Sequence, residues 1–473
     1  MMANAGLAAE LWRYSASQLD ALYAAGECSP VDVVHACLAR IDSLNPSVNA
    51  MVHVDGAAAL EAARASERRM QKRVRLSKVD GVPYTVKDNL FVAALPATWG
   101  SKLFENHIPQ SDEIAVERMK AAGAILLGKT NTPEFALGSH TDNLVFGRTL
   151  NPWNIEVTTG GSSGGGAVAT ATQMAPLALG TDAGGSARTP ASHNGVFGLR
   201  PSTGALPRQG GFPPLAHDFQ VVGLIAKTAQ DLELFFGCVS GADPRDPASA
   251  SWNSVRRARF QQAIRVSWSD RCGDSPVDPQ VRETVADVAE NLKLLGCDVR
   301  REAIPMDPAA LSELWTILSS VGVARVASRE PDWESKVTPE VAASIRKGLA
   351  ISGVDYLRAV DEVRAFRATT RDGWSRRDLF LTPTSAALPW PWKNGFPGKI
   401  DGKDCGPRAP SVFSTWVNAA DLPALSIPAG MSREGLPIGV QLVGPYGCDE
   451  AILDLTLRYS AAFDIQREPP WPL

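Results

Sequence analysis

Between Gly160 and Gly210 the chain places 12 of its 40 glycines in 51 of its 473 residues, roughly a threefold enrichment. Glycine loses more backbone freedom on folding than any other residue. So dense a cluster marks tight turns or backbone that must approach something closely. The rest of the fold has to be built around that segment. Elsewhere the composition is that of an ordinary globular protein, with 44% hydrophobic and 21% charged residues. The length suits one large α/β domain, whose core can bury reactive groups away from water.

Charge and cysteine usage exclude several classes. A net charge of −4 and basic runs no longer than pairs such as Arg68-Arg69 give no footprint for nucleic acid or an acidic membrane surface. The seven cysteines lie at scattered spacings with no C-x-x-C pair, which argues against a zinc or redox site and for a reducing compartment. The opening residues MMANAGLAAELWRYSASQLDAL lack a basic region followed by an apolar core, so no signal peptide is expected. No apolar run approaches the ~20 residues that span a bilayer. A cytoplasmic protein is the expectation.

Strand and helix patterns alternate along the chain. Ser15 to about Lys72 reads as helical. Ser29-Pro30 caps one helix there, with Val33, Val34, Cys37, Leu38 and Ile41 on one face. Asp80 to Val86 becomes a turn and an extended run. The helical Asp112–Ala122 leads into a buried strand at Ala124–Leu127, Val281–Leu295 is a helix ending at Gly296, and Leu388–Pro410 is a long ordered loop. Ala424–Ile427 and Ile438–Leu442 are strands followed by a helix. This alternation predicts an α/β fold, a central mixed twisted sheet covered by helices on both faces. A single domain is expected over 1–473. Its core lies at about 80–230, a more helical insertion at about 240–380, and strands and a helix return to the core at about 411–463.

Three chemistries compete for the glycine-rich segment. Gly164-Gly165-Gly166-Ala167-Val168-Ala169 matches a dinucleotide fingerprint, but that motif should follow a hydrophobic strand and here follows the turn-like Asn151-Pro152-Trp153-Asn154. Gly160-Gly161-Ser162-Ser163-Gly164 fits a G-x-S-x-G elbow, whose mechanism needs a late histidine. The histidines stop at His217, so the final 256 residues hold none. The third is a serine hydrolase with lysine as base, since a serine hydroxyl needs a nearby proton acceptor before it attacks a carbonyl. A lysine serves when burial and neighbouring donors depress its pKa. Lys87 ends the apolar run Gly81–Val86, where a charge is costly unless paired or lost. From the residues alone, a surface Lys87-Asp88 pair stays open.

The segment closely resembles the amidase signature, and the resemblance extends from about Leu11 to the C-terminus. The family's catalytic lysine lies in a K-D-N/P-type turn, matched by Lys87-Asp88-Asn89. Its cis-serine is the first serine of GGSSGG, here Ser162, and its nucleophile the serine of G-T-D-x-G-G-S, here Ser186. Ser162 follows Lys87 by 75 residues and Ser186 follows Ser162 by 24, as expected for the family. Gly128–Glu134, Arg148–Asn154 and Gly435–Gln441 match as well.

The resemblance implies that neutral Lys87 takes a proton from Ser162, which relays one from Ser186 as Ser186 attacks an amide carbon. It implies an oxyanion hole from the backbone N–H groups of Ala183, Gly184, Gly185 and Ser186, and a cis peptide at Ser162. Ser163 is expected to support Lys87 by hydrogen bonding, Thr181 to be a supporting residue of the site, and Asp182 with Arg188 to form a structural ion pair that holds the loop. No cofactor or metal is implied, and no H-x-H or H-E-x-x-H occurs. The family usually forms homodimers.

The small-molecule amide itself stays open among aryl, aliphatic, indoleacetamide, cyclic and biuret-type amides. Trp390, Trp392 and Trp416 either line an acyl pocket or anchor packing. His193 either touches substrate or is a buried, hydrogen-bonded histidine. The alternative is the glutaminase subunit of a tRNA-dependent amidotransferase, working on glutaminyl-tRNA with partner chains. Against it, Ser352–Leu357 replaces an expected tyrosine-rich stretch and no anchor for a glutamine α-carboxylate stands out. A catalytically silent binding relative is the rival from another class.

Overall fold

The computed structural model describes residues 10–256, 260, 263–304, 306–465 and 467–470, without the side chains at 371, 372, 375 and 376. The first nine residues of the N-terminal stretch read above lie outside the described residues. In chain order the strands are β1 (Met51–Val54), β2 (Pro83–Lys87), β3 (Ile125–Thr130), β4 (Leu177–Asp182), β5 (Phe197–Arg200), β6 (Val221–Ala226) and β7 (Arg265–Trp268). They continue with β8 (Asp298–Arg301), β9 (Leu379–Pro383), β10 (Lys399–Ile400), β11 (Lys403–Asp404), β12 (Ala424–Met431) and β13 (Pro437–Val443). Among the described residues, eleven of these form one mixed sheet in the order β1-β3-β2-β4-β6-β5-β12-β13-β9-β7-β8, flanked by helices, and β10 and β11 make a separate small hairpin. The expected α/β architecture is therefore present.

Local signals set many of the boundaries. Ser29 Oγ accepts the Asp32 N–H while Asp32 Oδ2 accepts the Ser29 N–H, a reciprocal cap that starts the helix Pro30–Val48. Val33, Val34, Cys37 and Ile41 on its inner face are buried. The helices Ile114–Ala121 and Pro279–Leu294 lie where the periodicity placed them. Two stretches differ from expectation. The helical N-terminal stretch is interrupted by β1, which pairs antiparallel with β3. The insertion at 240–380 carries β7 and β8, which extend the main sheet by parallel pairing onto β9. Both are four residues long, too short to compete with the helical pattern around them.

The sheet aligns the parts that matter for chemistry. Parallel strands β2 and β4 are neighbours, with Val86 opposite Leu179, so Lys87 and the Thr181–Asp182 pair emerge from the same carboxyl edge. Ligand sites of open α/β sheets favour that edge. The helix Gly164–Ala171 lies fully buried against the sheet. It does not follow a strand, so the dinucleotide fingerprint is spent on packing: a Cβ at Gly165 would sit 2.4 Å from the Asn131 nitrogen.

The long helix Pro308–Ala327 joins two satellite cores above this edge. Leu311, Leu314 and Leu318 pack with Phe413 and Trp416, whereas Val323, Ala324 and Ala327 pack with Trp99, Phe212 and Ile345. Its seat is Gly322, where a Cβ would come within 1.8 Å of the Leu215 carbonyl oxygen. Helix propensity alone favours alanine over glycine by about 1 kcal/mol. We expect Gly322→Ala to have the opposite sign, destabilising the protein by about 1–3 kcal/mol through overpacking, as read by denaturant unfolding. A stabilised variant would mean that the helix is not held at this contact.

Candidate active site

Lys87 is wholly buried at the end of β2, which excludes the surface Lys87-Asp88 pair. Its Nζ lies 2.7 Å from Ser162 Oγ, 2.9 Å from Thr181 Oγ1 and 3.1 Å from Ser163 Oγ. Burial pushes its pKa well below that of an ordinary lysine, against the opposing pull of the Asp182 and Asp88 charges. A neutral amine has two N–H bonds and one lone pair, so three contacts require a hydroxyl to donate back. Ser163 is already committed, since it donates to the Thr181 carbonyl oxygen and accepts the Thr181 N–H. Ser162, with the shortest contact, is well placed to donate its proton to the lone pair. The Gly161–Ser162 peptide is cis, as the resemblance implied.

The loop from Asp182 to Arg188 is shaped by a buried ion pair. Asp182 accepts from Arg188 Nε and Nη2 at 3.1 Å each, and neither side chain is exposed. Burial alone would raise the Asp182 pKa. The Arg188 charge, with hydrogen bonds from Arg188 and Asn418, overrides burial and holds the carboxyl well below the usual range. Its oxygens also accept the N–H groups of Gly185 (2.8 Å) and Ala187 (3.1 Å). This corrects the expected oxyanion hole: the Gly185 N–H is taken by Asp182. The N–H groups of Ala183, Gly184 and Ser186 have no hydrogen-bond partner among the described residues. Ser186 is half-buried, and its carbonyl oxygen accepts from the Ser163 N–H at 3.0 Å, which ties the two serine segments together.

The glycines of this loop accommodate protein as well as any ligand. A Cβ on Gly185, whose φ is +110°, would meet Ser414 Oγ at 2.4 Å. One on Gly184 would meet the Trp315 ring at 3.0 Å and Arg408 Nη2 at 3.4 Å.

Ser162, Thr181, Ala183 and Ser186 line a narrow end, of about 20 Å³, that also touches Leu137, Gln220 and Trp315. Ser186 and Gly184 also border a cavity of about 420 Å³ walled by His140, Trp315, Phe396 and Arg408. A further volume of about 1100 Å³ shares Trp315 and Arg408 and is bounded by Met306, Leu311 and Val412. The three tryptophans singled out from sequence do not line these spaces. Trp390 and Trp416 are buried packing anchors, the first against the edge of His193 with ring centres 5.6 Å apart, and Trp392 lies under the Arg148 guanidinium. His193 is buried too, and burial lowers its pKa to about 4, so it stays neutral without lining the cavity. Sequence reasoning missed Trp315 and Arg408. The hydrophobic pattern of the helix 308–327 shows that it packs but not which residue faces a cavity.

Among the described residues no cluster of three or more metal-ligating side chains occurs, and no helix is long and apolar enough to cross a membrane.

This arrangement has relatives. The family model for amidases matches residues 32–453. An acylamidase of Rhodococcus erythropolis is 32% identical, with 97% of this chain and 96% of the relative covered. A glutamyl-tRNA(Gln) amidotransferase subunit of Chloroflexus aggregans is 33% identical over 98% of both chains. The solved structure of 6-aminohexanoate cyclic dimer hydrolase superposes with a TM-score of 0.83 at 28% identity, covering 97% of this chain and 99% of that one. The chain belongs to the amidase signature family and is an amide-hydrolysing enzyme.

The lysine makes a prediction about stability that is independent of turnover. Its folded pKa lies below the unfolded value of 10.5. Between those two values the unfolded chain binds one more proton, so raising the pH stabilises the fold. The burial cost is fully present below the folded pKa and gone above the unfolded one. Relative to Lys87→Met, the wild type should therefore gain stability as pH rises through that window toward 10.5. Chemical denaturation of both proteins at pH 7 and pH 10 measures this. A wild type that gains nothing on Lys87→Met between pH 7 and pH 10, or loses ground to it, would mean that the amine is charged in the fold.

Proposed function

We propose that this amidase cleaves small carboxamides through an acyl-enzyme on Ser186, with Ser162 and Lys87 as its proton relay. The observation that carries the reading is the 2.7 Å contact between a buried, pKa-depressed Lys87 and Ser162, at the narrow end of the cavity that Ser186 also lines. As Ser186 Oγ bonds to the amide carbon, its proton passes to Ser162 Oγ and the Ser162 proton to Lys87 Nζ. The carbonyl oxygen takes the negative charge and is held by the free N–H groups of Ala183, Gly184 and Ser186. One such donor is worth about 3–4 kcal/mol in related chemistry. The C–N bond then breaks, Ser162 protonates the departing nitrogen and recovers a proton from Lys87. Water enters by the same relay in reverse, releasing the carboxylate and freeing Ser186.

Ser163 and Thr181 position the amine, and Asp182 with Arg188 position the loop. The cavity of about 420 Å³ suits an aryl or bulky aliphatic group against Trp315 and Phe396. A homodimer, on the strength of the family resemblance, and a cytoplasmic location, on that of composition and cysteine usage, complete the proposal. The relative from Chloroflexus aggregans supports a second reading, a glutaminase subunit, which makes free glutamine an informative substrate.

The test is ammonia or amine release from aryl, alkyl and cyclic amides and from glutamine, with Ser186→Ala alongside. Turnover should fall on the order of 10⁴- to 10⁶-fold in the variant, and a fluorophosphonate should label the wild type alone. Unchanged turnover would remove Ser186 from the mechanism. Because the base works neutral, kcat/KM should rise with pH along a limb of unit slope centred below 10.5, then level off. A profile flat between pH 6 and 9 that falls only above 10.5 would contradict the lysine base.

A further inference from the structure

Two arginines near Ser186 are in opposite situations: Arg188 lies buried behind the loop, and Arg408 lines the cavity. Arg188 is fully engaged: Asp182, Gln441, Asn418 and the Ser414 carbonyl oxygen accept its N–H groups. Arg408 is not. Its guanidinium lies over the Trp315 ring, 4.4 Å from the centroid, and Nη2 donates to Thr415 Oγ1 at 2.5 Å. Thr415 in turn donates to the Ser411 carbonyl oxygen, so it is a neutral prop with no charge to offer. The Nε and Nη1 groups of Arg408 have no hydrogen-bond partner among the described residues. Glu340, Asp274 and Asp307 line the same spaces, but none pairs with it, and Asp307 accepts the Ala309 N–H at the start of its own helix. Burial lowers the guanidinium pKa to about 10, with no carboxylate nearby to raise it, so it stays charged at neutral pH.

Arg408 is half-buried, and a charge partly withdrawn from water without a counter-ion carries a cost. Packing against an aromatic face recovers part of that cost and fixes the plane of the guanidinium. Nη2 keeps a second N–H beside Thr415, and together with an unpartnered neighbour on the planar fork it can take a carboxylate in bidentate fashion. Its position relates it to the reaction. Arg408 borders both the cavity of about 420 Å³ shared with Ser186 and the larger one beyond, and Nη2 lies 3.4 Å from where a Cβ of Gly184 would stand. An anion on this fork would sit only a few bonds from an amide carbon at Ser186.

We propose, on the basis of the amidase mechanism above, that Arg408 is a specificity-determining residue that selects amides carrying a carboxylate a few bonds from the scissile carbonyl, such as the half-amide of a dicarboxylic acid. The anion supplies the missing counter-charge, and Trp315 holds the guanidinium ready for it. Substrate then enters the Ser186 cavity with its charge already matched and its orientation set.

The experiment compares two anilides of similar size, succinanilate with its terminal carboxylate and butyranilide without it, by aniline release. The wild type should favour succinanilate at least tenfold in kcat/KM, chiefly through KM. Arg408→Met should bring that ratio near one, and Arg408→Lys should restore part of it. A wild type without preference, or an Arg408→Met variant that loses both substrates equally, would overturn the proposal and leave the guanidinium a structural prop. A binding arm separates this proposal from the mechanism beneath it: calorimetric titration of Ser186→Ala, with and without Arg408→Met, using the same two anilides. Tighter binding of succinanilate that disappears with Arg408 supports the anion site even if Ser186 proves not to be the nucleophile. Equal binding of both anilides to Ser186→Ala refutes the anion site even if the nucleophile is right.

Discussion

Asp182 and Arg188 meet with no exposure to water, and each alone would be costly to bury. The pair is tolerable because its polar atoms are so widely shared. Asp182 also accepts two backbone N–H groups from the loop that begins at its own residue, and Asn418 donates both to its Oδ1 and to its carbonyl oxygen. Arg188 reaches Gln441 on β13. The loop that carries Ser186 is thus held at both ends by charge and from the far side by residues over 200 positions later. This is a physical reason for the C-terminal strands to return beside β5: without them the ion pair would lose Asn418 and Gln441 and keep its desolvation cost.

Lys87 is the complementary case, an amine whose burial works against its charge. Its neighbours are three hydroxyls and no ion pair, and the nearest carboxylates act on it only at a distance. A direct carboxylate partner would hold the proton on the amine and spoil it as a base. The contrast with Lys129 is instructive. That lysine is equally buried, with its pKa pushed down to about 8, but it donates to three backbone carbonyl oxygens at the ends of neighbouring turns and contacts no nucleophile. Burial alone does not make a base; a hydroxyl with a proton to give is also needed.

What is legible in the sequence follows from the range over which each signal acts. The cap at Ser29, the strands at 424 and 438 and the helix after Asp278 depend on residues within a few positions of one another, and the sequence pattern places them correctly. A long motif singles out Lys87, Ser162 and Ser186, and the fold brings Lys87 against Ser162 and sets Ser162 and Ser186 on one narrow space. The short strands β1, β7 and β8 are not, because four-residue segments draw their stability from distant partners. Trp390, Trp392 and Trp416 suggest a pocket because they cluster in sequence. The cavity is instead assembled from 136–140, 308–344 and 395–411, which no local pattern relates. Gly185 shows the same limit in reverse: its place in the motif suggests an oxyanion donor, and the fold gives that N–H to Asp182.

That division of labour separates chemistry from choice of substrate. Lys87, Ser162, Ser186 and the loop around Ser186 come from residues 87–188, on adjacent parallel strands and the segments that join them. The walls come largely from the helices Pro308–Ala327 and Pro339–Ala350 and the loop before Thr415. Contact between the two sets is close at Gly184, where a Cβ would stand 3.0 Å from the Trp315 ring and 3.4 Å from Arg408 Nη2. A wall in such close contact with this loop cannot be altered freely: Trp315 is already the largest side chain, and a residue of another shape there would change what supports Gly184. The outer lining at Met306, Ala309 and Ser312 borders the larger space and not the cavity beside Ser186. Variation there would reshape the space open to substrate while leaving the free N–H groups where they are, which is how one reaction centre can serve many amides.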